Sequence, residues 1–305
     1  MTGEYSPYDL VTDPAAFGLI TTTVSNELGT CVARHPPTRS STTATIFLHG
    51  AAGSWTTWTP MLQAGRPAGD LVLLDLPGWG DAVMIDGRAE RAIPAISSLV
   101  AEAAERLGYT EWDLVGHSLG GFVALHLAAT RPENVLSVGM VSGTTFSVID
   151  SVAHPVKNFG LIPGFTMLWR VMQFLAILGP AGPALVRGSA RIGLLRPATF
   201  PLFRHWRKVT RTQGQALARE LRPRAFTAAT KATLGYDAVT TWSAIRCPVR
   251  ATRGDRDVFV VASDFDRLAG ILPSSVRTVI ADCGHFGNVE RPHEVLEALG
   301  YPSSV

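Results

Sequence analysis

Short apolar runs alternate with helical patterns along most of this chain. Residues 44–48, 71–74, 113–115, 135–141, 248–252 and 276–280 are runs of the length and composition of strands buried on both faces. Residues 19–25 and 28–34, separated by Asn26 and Glu27, carry the pattern of a β-hairpin. Over residues 88–107, Ile93, Ile96, Leu99, Val100, Ala103, Ala104 and Leu107 share one helical face, and Glu90, Glu102, Glu105 and Arg106 lie off it. Shorter helical patterns occupy residues 122–130, 262–272 and 292–299. Strand–helix alternation of this kind predicts an α/β fold, a mostly parallel sheet flanked by helices on both faces.

The rhythm stops between residues 144 and 240. That stretch has helical patterns and many Pro and Gly, but no clear strand run. The prediction is therefore a core built from residues 1–143 and 241–305, with residues 144–240 inserted as a helical lid over the C-terminal edge of the sheet. Residues 161–178 are strongly apolar, but Pro163 and Arg170 interrupt them. They lack the continuous span of about 20 apolar residues that crosses a bilayer, so a buried or lid helix is expected.

Composition narrows the classes. With 305 residues, 46% of them apolar and 17% charged, an ordered chain with a large core is expected, not a disordered one. Cys31, Cys247 and Cys283 are odd in number, far apart and without a CxxC pair, so neither a disulfide framework nor a zinc site is expected. Residues 1–5 lack a basic segment followed by an apolar run, which predicts no signal peptide and a cytoplasmic location.

The chemistry collects after the strand runs, where open parallel sheets bind their ligands. HGAAG (49–53) follows the run at 44–48, and DLPGWG (75–80) follows 71–74. GDRD (254–257) follows 248–252, and CGHF (283–286) follows 276–280. GHSLGG (116–121) lies between the run at 113–115 and the helical pattern at 122–130. A turn that sharp forces Ser118 into a strained backbone conformation, and glycine neighbours let the chain approach itself. The serine oxygen is then held clear of the backbone beside a helix N-terminus, which is the form of a nucleophile elbow.

These five motifs, in this order, resemble the α/β-hydrolase superfamily, and the likeness runs through every core piece just quoted. The resemblance implies an eight-stranded, mostly parallel sheet and a Ser-Asp-His triad needing no metal or organic cofactor. It casts Ser118 as nucleophile and His285 as base, with His117, His49 and His126 as weaker candidates. Asp257 is the matching acid, Asp150 the fallback, and Asp255 a brace for the turn. The backbone N–H groups of Leu119 and Ala51 are the expected oxyanion donors. Branches that open epoxides or remove halogens carry aspartate at the elbow, and Ser118 argues against both.

Residues 144–240 hold 13 Lys and Arg against 3 Asp and Glu, a charge of +10 in a chain of net +2. One reading is a solvated basic surface. The other is a surface for something anionic: a phospholipid surface, a coenzyme A moiety or an acidic carrier protein. Nucleic acid is not an expected partner. Trp55, Trp79, Phe146 and Phe286 near strand ends, with Trp169 and Met172 of the lid, are expected to line an apolar acyl pocket. The expected reaction is hydrolysis of a lipophilic carboxylic ester. Thioester cleavage and C–C bond hydrolysis of a diketone use the same parts, and a ligand receptor on the same fold is the non-enzyme alternative.

Overall fold

A computed structural model describes residues 4–85, 92–194, 199 and 201–303. Eight strands form one sheet: β1 (Ile20–Asn26), β2 (Gly29–His35), β3 (Thr43–Leu48), β4 (Asp70–Asp75), β5 (Glu111–His117), β6 (Val135–Val141), β7 (Val249–Gly254) and β8 (Val276–Ile280). Their order is β1-β2-β4-β3-β5-β6-β7-β8. β1 and β2 pair antiparallel, β2 meets β4 antiparallel, and every later pairing is parallel.

Five of the apolar runs form the centre of this sheet because both faces are covered, whereas 276–280, expected to be buried on both faces, is the edge strand β8 with Val276 and Val279 exposed. Ile46 and Leu48 of β3 pack into one layer, and Phe47 between them packs into the other. The first layer is made by α2 (Ala92–Arg106) and α3 (Leu119–Thr130), and the second by α1 (Thr59–Ala64) and the C-terminal helix Pro292–Leu299. The predicted helix over 88–107 is seen as Ala92–Arg106, and its first residues, 88–91, lie outside the described residues. β5 runs past the predicted 113–115 to His117 because Gly116 and His117 still pair with Met140 and Val141. The short helix α1 was not signalled by the apolar pattern.

Between β6 and β7, the described residues of 144–240 contain helices and loops and no strand. They include α4 (Phe146–Ala153), α5 (Pro163–Ile177), α6 (Ala181–Arg191), α7 (Arg211–Glu220), α8 (Pro223–Lys231) and α9 (Ala238–Trp242). Much of this insert gathers in a hydrophobic cluster of its own, including Phe165, Trp169, Leu217 and Phe226, which reaches the core at Ala52, Phe259 and Phe286.

α3 starts directly at the end of β5, and that junction is crowded. A Cβ on Gly120 would lie 1.9 Å from the carbonyl oxygen of Leu48. One on Gly116 would lie 2.3 Å from the carbonyl oxygen of Gly120. Gly120→Ala should therefore force backbone apart, at a cost of about 1–3 kcal/mol or more. Urea unfolding should show a lower midpoint with an unchanged slope.

Candidate active site

Ser118 sits between β5 and α3 at φ 51° and ψ −117°, a left-handed conformation that side chains rarely adopt. Ordinary residues avoid it at a cost of about 1–3 kcal/mol. The surrounding glycines make it accessible, and the peptide bonds on both sides are pinned. Ser118 N–H donates to Val141 O, and Ser118 O accepts from Gly121 N and Thr144 N.

His285 follows β8, three strands across the sheet from β5. Its Nδ1 lies 3.0 and 3.1 Å from the two Asp257 carboxylate oxygens. Asp257 Oδ1 also accepts the backbone N–H groups of Phe259 and Val260. Both side chains are buried, and Phe259 covers the imidazole edge-on with its ring centre 4.4 Å away. Ser118 and His285 line one cavity, and the hydrogen bond between them is not formed in this structure. Such bonds often close only when substrate is bound.

Ala51 and Leu119 line the same cavity. Their N–H groups carry no hydrogen bond among the described residues. The loop bearing Ala51 is rigidly turned: Gly50 O accepts from Gly53 N at 3.0 Å and from His49 Nδ1 at 2.7 Å, while His49 Nε2 accepts from Leu76 N. A Cβ on Gly50 would press 2.8 Å from both the His117 ring and Ser118 Cβ. The rest of the lining is almost wholly apolar, including Val148, Phe165, Leu202, Leu221 and Phe259.

The other sequence candidates have different work. Asp150 pairs with Arg267 and does not approach His285. Asp255 accepts Cys283 N–H and braces the turn. His126 meets the Tyr236 hydroxyl on the far side of α3. His117 donates from Nε2 to His285 O. Among the described residues no cluster of His, Cys, Asp and Glu suits a metal ion.

Five of the six side chains expected in an acyl pocket lie elsewhere, and only Phe286 of the six lines the cavity. Trp79 and Phe146 are fully buried in the main core, and Trp55 packs beneath the sheet with Arg34 against its ring. Trp169 and Met172 stand behind Phe165, inside the insert's own cluster. An aromatic after a strand reads the same in sequence whether it faces the cavity or the core.

Asp75, met in the sequence only as part of DLPGWG, and the buried acids Asp264 and Glu290 have structural roles that the motifs did not assign. Asp75 pairs with buried Arg34 at 2.6 Å and accepts Trp55 N and Asp81 N. Asp264 accepts Ser147 N, Thr145 Oγ1 and Val261 N. Glu290 accepts Gly284 N and Phe286 N, on either side of His285, together with Arg204 N and the Tyr5 hydroxyl. Burial pushes the Glu290 carboxyl above the usual range, against the pull of these four donors. Each acid thus holds a loop that borders the cavity.

The arrangement is that of an α/β-hydrolase fold with its polar groups collected at the carboxyl ends of the strands. The sequence pattern of the alpha/beta hydrolase family matches residues 45–298, and the chain belongs to that family. It is similar to epoxide hydrolase 4 of Mus musculus, 28% identical over 119 residues, which are 37% of this chain and 32% of that protein. It is also similar to a pimeloyl-[acyl-carrier protein] methyl ester esterase of Xanthomonas campestris, 34% identical over 101 residues, 33% of this chain and 37% of that one. The chain thus spans about a third of the length of these curated relatives. Among solved structures, a thermophilic esterase from Thermogutta terrifontis superimposes with a TM-score of 0.67 at 18% identity, covering 92% of this chain and 96% of that one. At that identity the likeness is one of fold.

Histidine burial here sets a pH dependence of stability. Desolvation lowers the pKa of His117 well below 6.5, the neighbouring His285 adding to it, and desolvation also lowers those of His49 and His126. These rings are neutral when folded and take up protons when the chain unfolds. Their contribution is complete above about pH 6.5 and is lost as pH falls below it, by up to about 1.4 kcal/mol per pH unit for each ring. Urea midpoints should drop between pH 7 and 5.5, and His126→Gln should shallow that drop.

Proposed function

We propose that this protein is a serine hydrolase that cleaves a lipophilic carboxylic ester through an acyl-enzyme on Ser118. The observation that carries the reading is the buried His285–Asp257 pair opening onto the same apolar cavity as a strained serine and two unoccupied backbone N–H groups. A free serine hydroxyl is a weak nucleophile and needs a base beside it. Asp257 accepts Nδ1–H of His285, which leaves the Nε2 lone pair as the base.

Ser118 Oγ attacks the ester carbonyl as its proton passes to His285 Nε2. The carbonyl oxygen becomes an oxyanion between the N–H groups of Leu119 and Ala51. The C–O bond breaks as the imidazolium protonates the leaving alcohol. Water then gives a proton to His285 and attacks the acyl-serine, releasing the carboxylic acid and restoring Ser118 Oγ–H. A serine, not an aspartate, at the elbow supports this route over epoxide opening by a carboxylate. The Val148, Phe165, Leu202 and Leu221 lining supports an apolar acyl group.

Ser118→Ala should abolish both labelling by a fluorophosphonate probe and turnover of p-nitrophenyl esters, and a variant that keeps its turnover rejects the mechanism. Asp257→Asn should keep the fold and lose about 10⁴-fold in kcat, because the imidazole then takes the wrong tautomer. The oxyanion donor at residue 51 belongs to the backbone. Ala51→Gly should change kcat little, and Ala51→Pro should remove about 3 kcal/mol of transition-state stabilisation. Parallel assays on acyl-thioesters and vinylogous diketones identify the leaving group.

A further inference from the structure

The insert has a second face that the cavity does not use. α5 turns its inner side, with Phe165, Trp169 and Met172, into the protein. Its outer side carries Met167, Val171, Phe174 and Ile177, at helical spacing, and Ile177 is 82% exposed. α6 meets α5 at an angle of 120°, and Leu185 on α6 and Ile192 just after it are exposed as well. More than half of the strongly exposed large apolar side chains among the described residues fall between residues 156 and 194. Large apolar side chains left exposed and concentrated in one segment mark a candidate interaction surface.

The charge around it is one-sided. From Ser151 to Arg219 the sequence has no Asp or Glu. Lys157, Arg170, Arg187 and Arg191 lie within or beside the two helices, and none forms an ion pair among the described residues. Arg187 joins Arg219, Arg222 and Arg224 along a groove at the bend. The insert carries +10 and the remainder of the chain −8.

We propose that the outer face of α5 and α6 is a peripheral docking surface for bilayers with anionic headgroups. Bulky apolar side chains flanked by unpaired Lys and Arg match the boundary between acyl chains and anionic headgroups. No single helix among the described residues is long and apolar enough to cross a membrane; α5 and α6 reach that length and hydropathy only together, across a bend of 120°. A second copy would bring two basic faces together, so charge favours lipid over self-association. The inference goes beyond the proposed chemistry and stands without it, because Ser118→Ala should bind vesicles as the parent chain does.

The test is co-sedimentation of the full chain with phosphatidylglycerol vesicles and with phosphatidylcholine vesicles. Affinity should be about tenfold or more higher for the anionic vesicles and should fall with added salt. Phe174→Glu with Ile177→Glu should reduce binding about tenfold or more, and Arg187→Glu with Arg191→Glu should erase the preference for anionic vesicles. Both double variants should keep the parent melting transition and p-nitrophenyl acetate turnover. If the apolar pair does not fold, the arginine pair carries the test. The proposal is overturned by absent binding, by equal affinity for both vesicles, by binding that neither variant weakens, or by a parent dimer in light scattering that the apolar variant splits.

Discussion

The backbone of Ser118 has to turn back on itself in the space of two residues, between a strand in the middle of the sheet and a helix laid against it. That turn is possible because Gly116, Gly120 and Gly121 put no side-chain atoms where β3, β5 and the start of α3 nearly touch. The constraint reaches outward. It fixes where α3 begins, it brings the carbonyl of Leu48 against the elbow, and it sets Gly50 and the loop of Ala51 beside Ser118. A chain that could not close this turn would lose the alignment of three loops at once.

Around the elbow, position is maintained by buried acids that bind backbone. Asp75, Asp264 and Glu290 each accept at least two main-chain N–H groups from loops bordering the cavity. Backbone donors are rigid and close-spaced, so a carboxylate shared between them fixes a loop more firmly than side-chain packing does. The arrangement separates two tasks. Ser118 and His285 line the cavity with Asp257 bonded to the imidazole, while a different set of acids binds the backbone of the loops around them.

The centre of the sheet was legible from the chain because strands buried on both faces leave near-continuous apolar runs, whereas the mostly exposed edges β1 and β8 were legible only as half of a hairpin pattern and as a short apolar run. The loop motifs after the strands were legible too, since glycine, histidine and acid at a strand end are rare together. Glu290 was not. Within HFGNVERPHE it reads as an ordinary first-turn acid, and its role appears only when Tyr5, 285 residues away, closes on it. Trp79 and Phe146 were misplaced for a related reason: periodicity gives the side of a strand or helix but not what covers that side. The outer apolar face of α5 was hidden in a helix that is apolar all round, where pattern alone cannot tell core from surface.

The insert is attached in two different ways. Its later half is riveted by directional bonds: Arg204 N to Glu290, His205 N to the Tyr5 hydroxyl, Thr210 to Asp9, Gln213 to Ser6, and Glu220 to Gly80 N. Residues 156–194, by contrast, make no hydrogen bond or ion pair to any described residue outside 150–194. Oily contact is indifferent to direction, so one apolar partner can be traded for another at little cost as the surfaces slide. The insert therefore has one edge fixed to the core by directional bonds and another held to it by apolar contact alone.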